Sequence, residues 1–485
     1  MIKWGISANS HDAALSVIKD GEIVFASHAE RFSGIKNDPD LNQSIVDYAR
    51  QFGEPDSVHW YERPVLKSIR QLAAGQGFRF KENNIPQYLS QYGINTKVNY
   101  KQHHRSHADA SYYTAPFREA VVVCVDAIGE WETVTVWEGR GKTLKKIFSQ
   151  SYPHSIGLWY SAMTQRVGLK PNEDEYILMG MAAYGDPLRL RSEIKDSFFK
   201  KMPTDSCATT RFKINLHRGC KWWRPDLASE QDLFDIAAAT QSVYEEFFNK
   251  LLLSVRNLVR DRNIVLTGGC ALNCAANHIA YRYFDRVWIM PNPGDAGNAL
   301  GAALNDFTDW QGPYLGYDIQ RPYPVNKLLK ELHSTGIVGV ANGKAEFGPR
   351  ALGNRSLLAD PRGAEIKDRV NDIKQRQRFR PFAPAILEEH AEQYFEGVTG
   401  PYMQFTSRCR YPEQYPAIVH EDGTSRVQAV GKQDNPGFRK LLEQWYAETG
   451  CPMLLNTSLN IKGKPIVNTA QDAKDFEKMY GVKVW

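Results

Sequence analysis

The sequence predicts an α/β protein in which a larger first domain carries one β-meander unit twice and a smaller α/β domain follows. Three observations predict this. Strand-like segments recur in the same order at the start of the chain and again roughly 120 residues later, helix-period segments separate them, and a proline-rich, aperiodic stretch, Gln311–Val325, precedes an arginine-rich remainder. A chain of 485 residues is long enough for two or three domains.

Taken in order, Ile2–Ile6 is apolar, Ser7–Asp12 polar and Ala13–Ile18 alternating, and Asp20-Gly21 is a hairpin signal leading into Glu22–Ser27. Asn42–Phe52 and Val65–Gly75 read as helices. In the second copy Val121–Val125 is a buried strand, Asp126–Glu132 a polar turn, and Thr133–Trp137 an alternating strand. Gly139-Arg140-Gly141 then turns the chain into Leu144–Phe148. A duplicated unit and two unrelated meanders both fit this pattern. From Asp232 a long helix is marked by Leu233, Ile236, Ala237, Val243 and Phe247, and Ile264–Leu266 is a short strand entering Thr267-Gly268-Gly269. The domains are placed at residues 1–318 and 319–485.

Composition narrows the function classes. No apolar run approaches the length of a membrane span, and mean hydropathy is −0.47. The start, MIKWGISANSHDAAL, lacks the basic lead of a secretory signal, and seven cysteines are too few and odd for a disulfide framework, so a reducing cytoplasm is expected. A net charge of +5 suits phosphorylated ligands or nucleic acid and selects neither.

The sharpest local signal is His103-His104-Arg105-Ser106-His107. In a helix His103 and His107 project from one face at metal-ligand spacing, with Asp126 at a strand end and Asp295 in PNPGDAGN as candidate carboxylate partners. Such a set suits iron, manganese or zinc better than magnesium. A solvated helix start is the competing reading. TGGCALN (267–273) and GDAG (294–297) place bare N–H groups at helix starts, which favours a phosphate. Cys270 and Cys274 read as small buried side chains, Gly141-Lys142-Thr143 as a hairpin turn, and Asn172 with Glu175 as a capping box. Lys374, Arg376, Arg378 and Arg380 alternate as though on one face of a strand, and Phe347–Ser356 adds Arg350 and Arg355. The set reads as a polyphosphate pocket, a nucleic-acid groove or a protected edge strand. Asn456–Asn460 offers hydroxyls and amides in a loop.

Together these strings resemble the ATP-dependent O-carbamoyltransferases of nodulation factors, cephalosporins and aminoglycosides. The matching motifs run from GISANSHDAA through HHRSHA, LTGGCALN, PNPGDAGNALGAA, EFGPRALGNRSLLADPR, RFRPFAPAIL and HEDGTSRVQAV to LLNTSLN, in family order. The resemblance implies an actin-like (ASKHA) metal-binding transfer domain followed by a YrdC-like domain that makes carbamoyl-adenylate from carbamoyl phosphate and ATP with magnesium. It implies His11 as the catalytic histidine and His103, His107, Asp126 and Asp295 as ligands of a divalent metal, iron first, with manganese or zinc as alternatives. Arg350, Arg355, Lys374, Arg376, Arg426, Ser458 and Asn460 are implied to bind ATP and carbamoyl phosphate, and Gly268, Gly269 and Asn273 the intermediate.

Two departures stand out. Ile177 occupies the place of a lysine in the family's Glu-x-Lys-x-Met-Gly motif, and the end at Trp485 implies a trimmed C-terminal domain. The acceptor is a sugar hydroxyl, an antibiotic hydroxymethyl group, or the 5-hydroxymethyl group of a modified pyrimidine such as 5-hydroxymethylcytosine in DNA. The run RLRSEIKDSFFKK (189–201) and Trp222-Trp223-Arg224 tilt the reading to DNA, in a host cytoplasm if the protein is viral. No membrane partner is expected, and a homo-oligomer is compatible. Readings from other classes are a tRNA threonylcarbamoylation-type enzyme and a non-catalytic nucleic-acid binder.

Overall fold

The computed structural model describes residues 1–77 and 79–485. They form two compact units, Met1–Ala29 with Asp38–Trp310, and Glu30–Asn37 with Gln311–Trp485. The break therefore lies ahead of the 318/319 cut placed from sequence. The reason is local: the strand Tyr314–Ile319 pairs antiparallel with Gly343–Glu346 of the second unit. The segment Glu30–Asn37 also joins the second unit, where Arg31 Nη2 donates to Gly348 O at 3.0 Å and Phe32 meets the edge of Tyr317.

The first unit holds two five-stranded sheets. In the first, β1 (Ile2–Ser7), β2 (Ala14–Lys19) and β3 (Glu22–His28) form an antiparallel meander, and β4 (Ser57–Trp60) and β5 (Val98–Tyr100) add in parallel beside β1. In the second, β6 (Glu119–Gly129), β7 (Glu132–Arg140) and β8 (Thr143–Ser151) form the meander, and β9 (Asn263–Thr267) and β10 (Arg286–Ile289) add in parallel beside β6. The orders β3-β2-β1-β4-β5 and β8-β7-β6-β9-β10 repeat one topology, strand for strand and sense for sense. Two unrelated meanders would share neither the added parallel strands nor the edge they join. Both hairpins turn where the sequence placed them: Asp20 and Gly21 take φ of 52° and 93°, as a two-residue hairpin turn requires.

Five helices of this unit matter below: α1 (Gln43–Arg50), α2 (Pro64–Ala73), α3 (His103–Tyr112), α4 (Glu175–Met181) and the long α5 (Glu230–Leu258), started by a Ser229/Asp232 capping box. A sixth, α6 (Asn298–Ala303), lies on β1, β2 and β4, while α3 lies on β6 and β9, and the two helices pack on each other. Glycine permits this closeness. A Cβ on Gly301 would stand 1.8 Å from Ser106 O, and one on Gly5 1.8 Å from Ala299 O. The capping box placed at Asn172/Glu175 is not the observed cap, because α4 begins at Glu175 itself. Its carboxylate turns back to accept from Asn172 N at 2.6 Å and Ser161 Oγ at 2.5 Å.

The second unit is built on a sheet ordered β11 (Ile337–Ala341), β12 (Arg355–Ala359), β15 (Met453–Ser458), β13 (Ala383–Leu387), β14 (Gln428–Val430), antiparallel except for the β13–β14 pair. Neighbouring residues alternate between two cores: Leu357, Ile386 and Leu455 pack with Ile366, Val370 and Phe476, and Leu358, Ala385 and Leu454 with Phe438, Leu441 and Trp445. The strand expected to carry Lys374–Arg380 is absent. Helix α7 (Ala364–Lys374) runs through Lys374 and stops at Gln375, whose φ of 51° ends the helix and opens a turn.

Candidate functional site

Helix α3 delivers His103 and His107 from its first two turns, β6 delivers Asp126, and the turn Asp295–Gly297 delivers Asp295. One ligand atom from each of these buried residues lies within 4.8 Å of the others. His103 Nε2 and His107 Nε2 are 3.1 Å apart and stand 3.3 and 3.2 Å from Asp295 Oδ1, with Asp126 Oδ2 at 3.4 and 3.7 Å. Burial works against ionised aspartates here, yet both are held well below the usual carboxylate range by the hydrogen bonds and charges of the two histidines, which are pushed up in turn.

The donor set fits a divalent cation. His107 donates Nδ1–H to Pro293 O at 3.1 Å, which leaves its Nε2 lone pair facing the cluster. Asp126 Oδ1 accepts from Gly269 N at 3.0 Å, which leaves Oδ2 for the cluster. Two buried carboxylates aimed at one point need positive charge between them. His104 turns away to Thr135 Oγ1 at 3.0 Å, and burial keeps it neutral.

His11, on the β1–β2 loop, meets this cluster from outside. Its side chain is 45% exposed, its Nδ1 lies 3.2 Å from Asp12 Oδ2 and its Nε2 3.5 Å from Asp295 Oδ2. Burial opposes its charge, but the hydrogen bond to Asp12 and the charges of Asp295, Asp12 and Asp126 hold its pKa up to about 10. Offsetting those carboxylate charges returns the imidazole toward the range of a base.

The three residues implied to hold the intermediate are committed elsewhere. Gly268 takes φ of 87°, which lets Gly268 N donate to Pro293 O at 3.0 Å and Gly269 N to Asp126. Asn273 pairs its amide with Gln241 at 3.0 and 3.1 Å and accepts from Ala276 N. These bonds tie Gly268 and Gly269 to the cluster and Asn273 to α5. Ile177 is buried core on α4.

In the second unit Lys374, Ser458 and Asn460 come together. Buried Lys374 Nζ donates to Ser458 Oγ at 3.2 Å, Asn460 Oδ1 at 2.9 Å and Asn460 O at 3.0 Å. Burial and the charges of Arg376, Arg380 and Lys36 push its pKa well below the usual lysine value. Arg376 lies over the Phe382 ring at 4.1 Å and donates to Asn371 Oδ1 at 2.9 Å. Arg426 keeps a buried Nε without a hydrogen-bond partner among the described residues, and Arg350 is half-buried in the loop before β12. Arg355 departs from its expected role. Its guanidinium is fully buried and spent on the backbone carbonyls of Asn468, Asn342, Gly343, Asn354 and Tyr317, so it braces the fold and has nothing left for a phosphate.

Two contributors escaped the sequence reading. Glu346 Oε1 accepts from Leu352 N at 2.7 Å and Asn354 N at 2.9 Å and so shapes the loop of Arg350. The segment Glu30–Asn37 brings Arg31 and Lys36 into the second unit. Only the first carried a signal, an acidic residue directly before Phe347-Gly-Pro-Arg.

Family models agree with this layout: a carbamoyltransferase N-terminus model matches residues 88–304 and a carbamoyltransferase C-terminus model residues 329–484. An uncharacterized protein of Synechocystis sp. is 33% identical over 97% of this chain and 93% of its own length. A 3'-hydroxymethylcephem-O-carbamoyltransferase of Amycolatopsis lactamdurans is 28% identical over 95% of this chain and 94% of its own. Nodulation protein NolNO of Sinorhizobium fredii is 29% identical over 96% and 76%. The chain belongs to the carbamoyltransferase family.

Proposed function

We propose that the protein transfers a carbamoyl group to an acceptor hydroxyl in two stages, one in each unit. In the second unit carbamoyl phosphate gives up its phosphate to water, and a carbamate oxygen attacks the α-phosphorus of magnesium-bound ATP. Carbamoyl-adenylate forms and pyrophosphate leaves. Arg376, Arg426 and Arg350 supply cations to the phosphates, while buried Lys374 holds Ser458 and Asn460 in place. In the first unit the acceptor oxygen attacks the carbamoyl carbon, its proton passes to His11 Nε2, and AMP departs. His103, His107, Asp126 and Asp295 would hold a divalent cation, and iron, manganese or zinc suits their two imidazoles and two carboxylates. Such a cation, when bound, supplies positive charge to a phosphate. The family models and the name of the cephem carbamoyltransferase support this reaction class. The observation that carries the reading is His11 Nε2 placed 3.5 Å from Asp295, an imidazole at the rim of the ligand cluster.

The acceptor is proposed as a hydroxyl compound without a bias to DNA. Most of the cations that favoured a polyanion are paired locally: Arg189 with Asp232 and Asp235, Arg191 and Lys195 with Glu246, and Arg224 with Asp226 and Glu193. Trp223 is core, and only Trp222 stays exposed. The test is AMP release from ATP and carbamoyl phosphate, with acceptors screened by mass spectrometry for a gain of roughly 43 Da, one carbamoyl group. The panel holds an aminoglycoside, a hydroxymethyl cephem and duplex DNA with 5-hydroxymethylcytosine. AMP with a gain on one acceptor names the substrate, whereas no AMP rejects the adenylate route.

A further inference from the structure

Helix α2 is inside out. Its buried side chains are Lys67, Ser68 and Arg70, whereas Val65, Ile69 and Leu72 are exposed, the reverse of an ordinary surface helix. Polar groups turned inward need partners. Lys67 Nζ donates to Glu62 Oε1 at 2.6 Å and to Asn9 O at 2.9 Å, which ties the helix to the loop that carries His11. Ser68 Oγ donates to Pro64 O and accepts from Asn83 Nδ2. Arg70 has no such partner. It is 7% exposed, its Nε and Nη1 are buried, and neither finds an acceptor among the described residues. The carboxylate whose charge it feels most, Glu62, is already engaged by Lys67.

A second orphan donor belongs to a histidine that feels the charge of Arg70. Beyond the end of α2, Gln76 Nε2 donates to His217 Nε2 at 2.6 Å, which places the imidazole proton on Nδ1. That Nδ1 is buried without a partner among the described residues. The Tyr152 ring meets His217 edge-on at 6.0 Å. Burial and the charges of Arg70 and Arg218 keep His217 below its ordinary pKa, hence neutral. Every orphan atom here is an N–H donor, and one belongs to a permanent cation, so the missing ligand is acceptor-only and negative.

We propose that Arg70 and His217 form an oxyanion subsite that holds a phosphate- or sulfate-like group on the hydroxyl-bearing acceptor. The assignment to the acceptor rests on the transfer reading above, whereas the anion site does not. Lys67 and Arg70 stand three residues apart on one helix, about 5 Å along its axis, so the group that steadies the His11 loop and the group that takes the anion share one rigid element.

The test compares the full chain with Arg70→Met by unfolding midpoint, in oxyanion-free buffer and with millimolar inorganic sulfate. Methionine replaces the stem and removes the unpaired charge, so the variant is expected to melt no lower than wild type without sulfate. Wild type is expected to gain a few degrees more from sulfate than the variant does. Other anion sites contribute equally to both chains and cancel. Equal gains, or a variant destabilised without sulfate, would overturn the subsite. Crystals soaked in tungstate give a second readout, with density expected between Arg70 and His217 and its absence there contradicting the proposal. Once an acceptor is known, Arg70→Met is expected to raise its KM on the order of tenfold, more than it lowers kcat. An unchanged KM would detach the anion from the acceptor. A chain that transfers no carbamoyl group rejects the transfer reading and leaves the sulfate result standing.

Discussion

Two buried charge clusters of opposite sign divide this molecule's chemistry. In the first unit two buried aspartates converge on the Nε2 atoms of two histidines, whose hydrogen bonds and charges hold the carboxyls well below their usual range. In the second a buried lysine is surrounded by neutral oxygens, with further cations acting on it. Burial is similar, but the charge each cluster would complement differs: the first suits a cation and the second anions. On the proposed reading, a metal and a polyphosphate held in separate units each meet only charges of the opposite sign.

The largest effect expected is on the first cluster. Asp295→Asn keeps shape but removes a charge from the ligand set, so bound metal measured by elemental analysis is expected to vanish and transfer to fall on the order of 10³-fold. Retained metal with unchanged transfer would break the comparison. His11→Ala is expected to lower transfer by roughly 10²–10⁴-fold while AMP formation continues. Lys374→Met is expected to act in the opposite sense, lowering adenylate formation on the order of 10²-fold. It also leaves the oxygens of Ser458 and Asn460 unpaired at a cost of about 1–3 kcal/mol in stability, readable by denaturant titration.

The smallest effect serves as a control outside both clusters. Burial disfavours the Glu246 carboxylate, but Lys250, Lys195 and Arg191 hold its pKa at about 2, against an ordinary 4.5. A depressed pKa stabilises the fold above the unfolded value, and that contribution is lost as pH falls through the folded one. Glu246→Gln is therefore expected to cost about 1–2 kcal/mol at pH 7, a figure reduced for the half-exposed partners. The difference from wild type should shrink as pH falls from about 4.5 to about 2. Full carbamoyl transfer in this variant would agree with an acceptor that does not rely on that helix face.

What could be read in the sequence was local. The hairpin at Asp20-Gly21 and the His103/His107 pair follow from short-range rules, a two-residue turn and i, i+4 spacing, whereas Asp126 and Asp295 were only candidates until the fold brought them to that pair. The repeated unit was visible as recurring segments, but only the strand order separates duplication from coincidence. Elsewhere the pattern misled. Lys374–Arg380 alternates with period two, yet the helix before it continues to Gln375, a non-glycine residue whose left-handed φ no simple rule announces. Arg355 lies in a motif rich in phosphate-binding residue types, but the five carbonyls that consume it come from separated parts of the second unit. The transfer of Glu30–Asn37 to the second unit is a tertiary event with no local sign.

The division of labour is tested most directly by carbamoyl-phosphate-dependent exchange of labelled pyrophosphate into ATP, which reads adenylate formation alone, measured for His11→Ala and Lys374→Met beside transfer. His11→Ala is expected to exchange at the wild-type rate without transferring, and Lys374→Met to lose both. Loss of exchange in His11→Ala, or normal exchange in Lys374→Met, would contradict the assignment of one reaction to each unit.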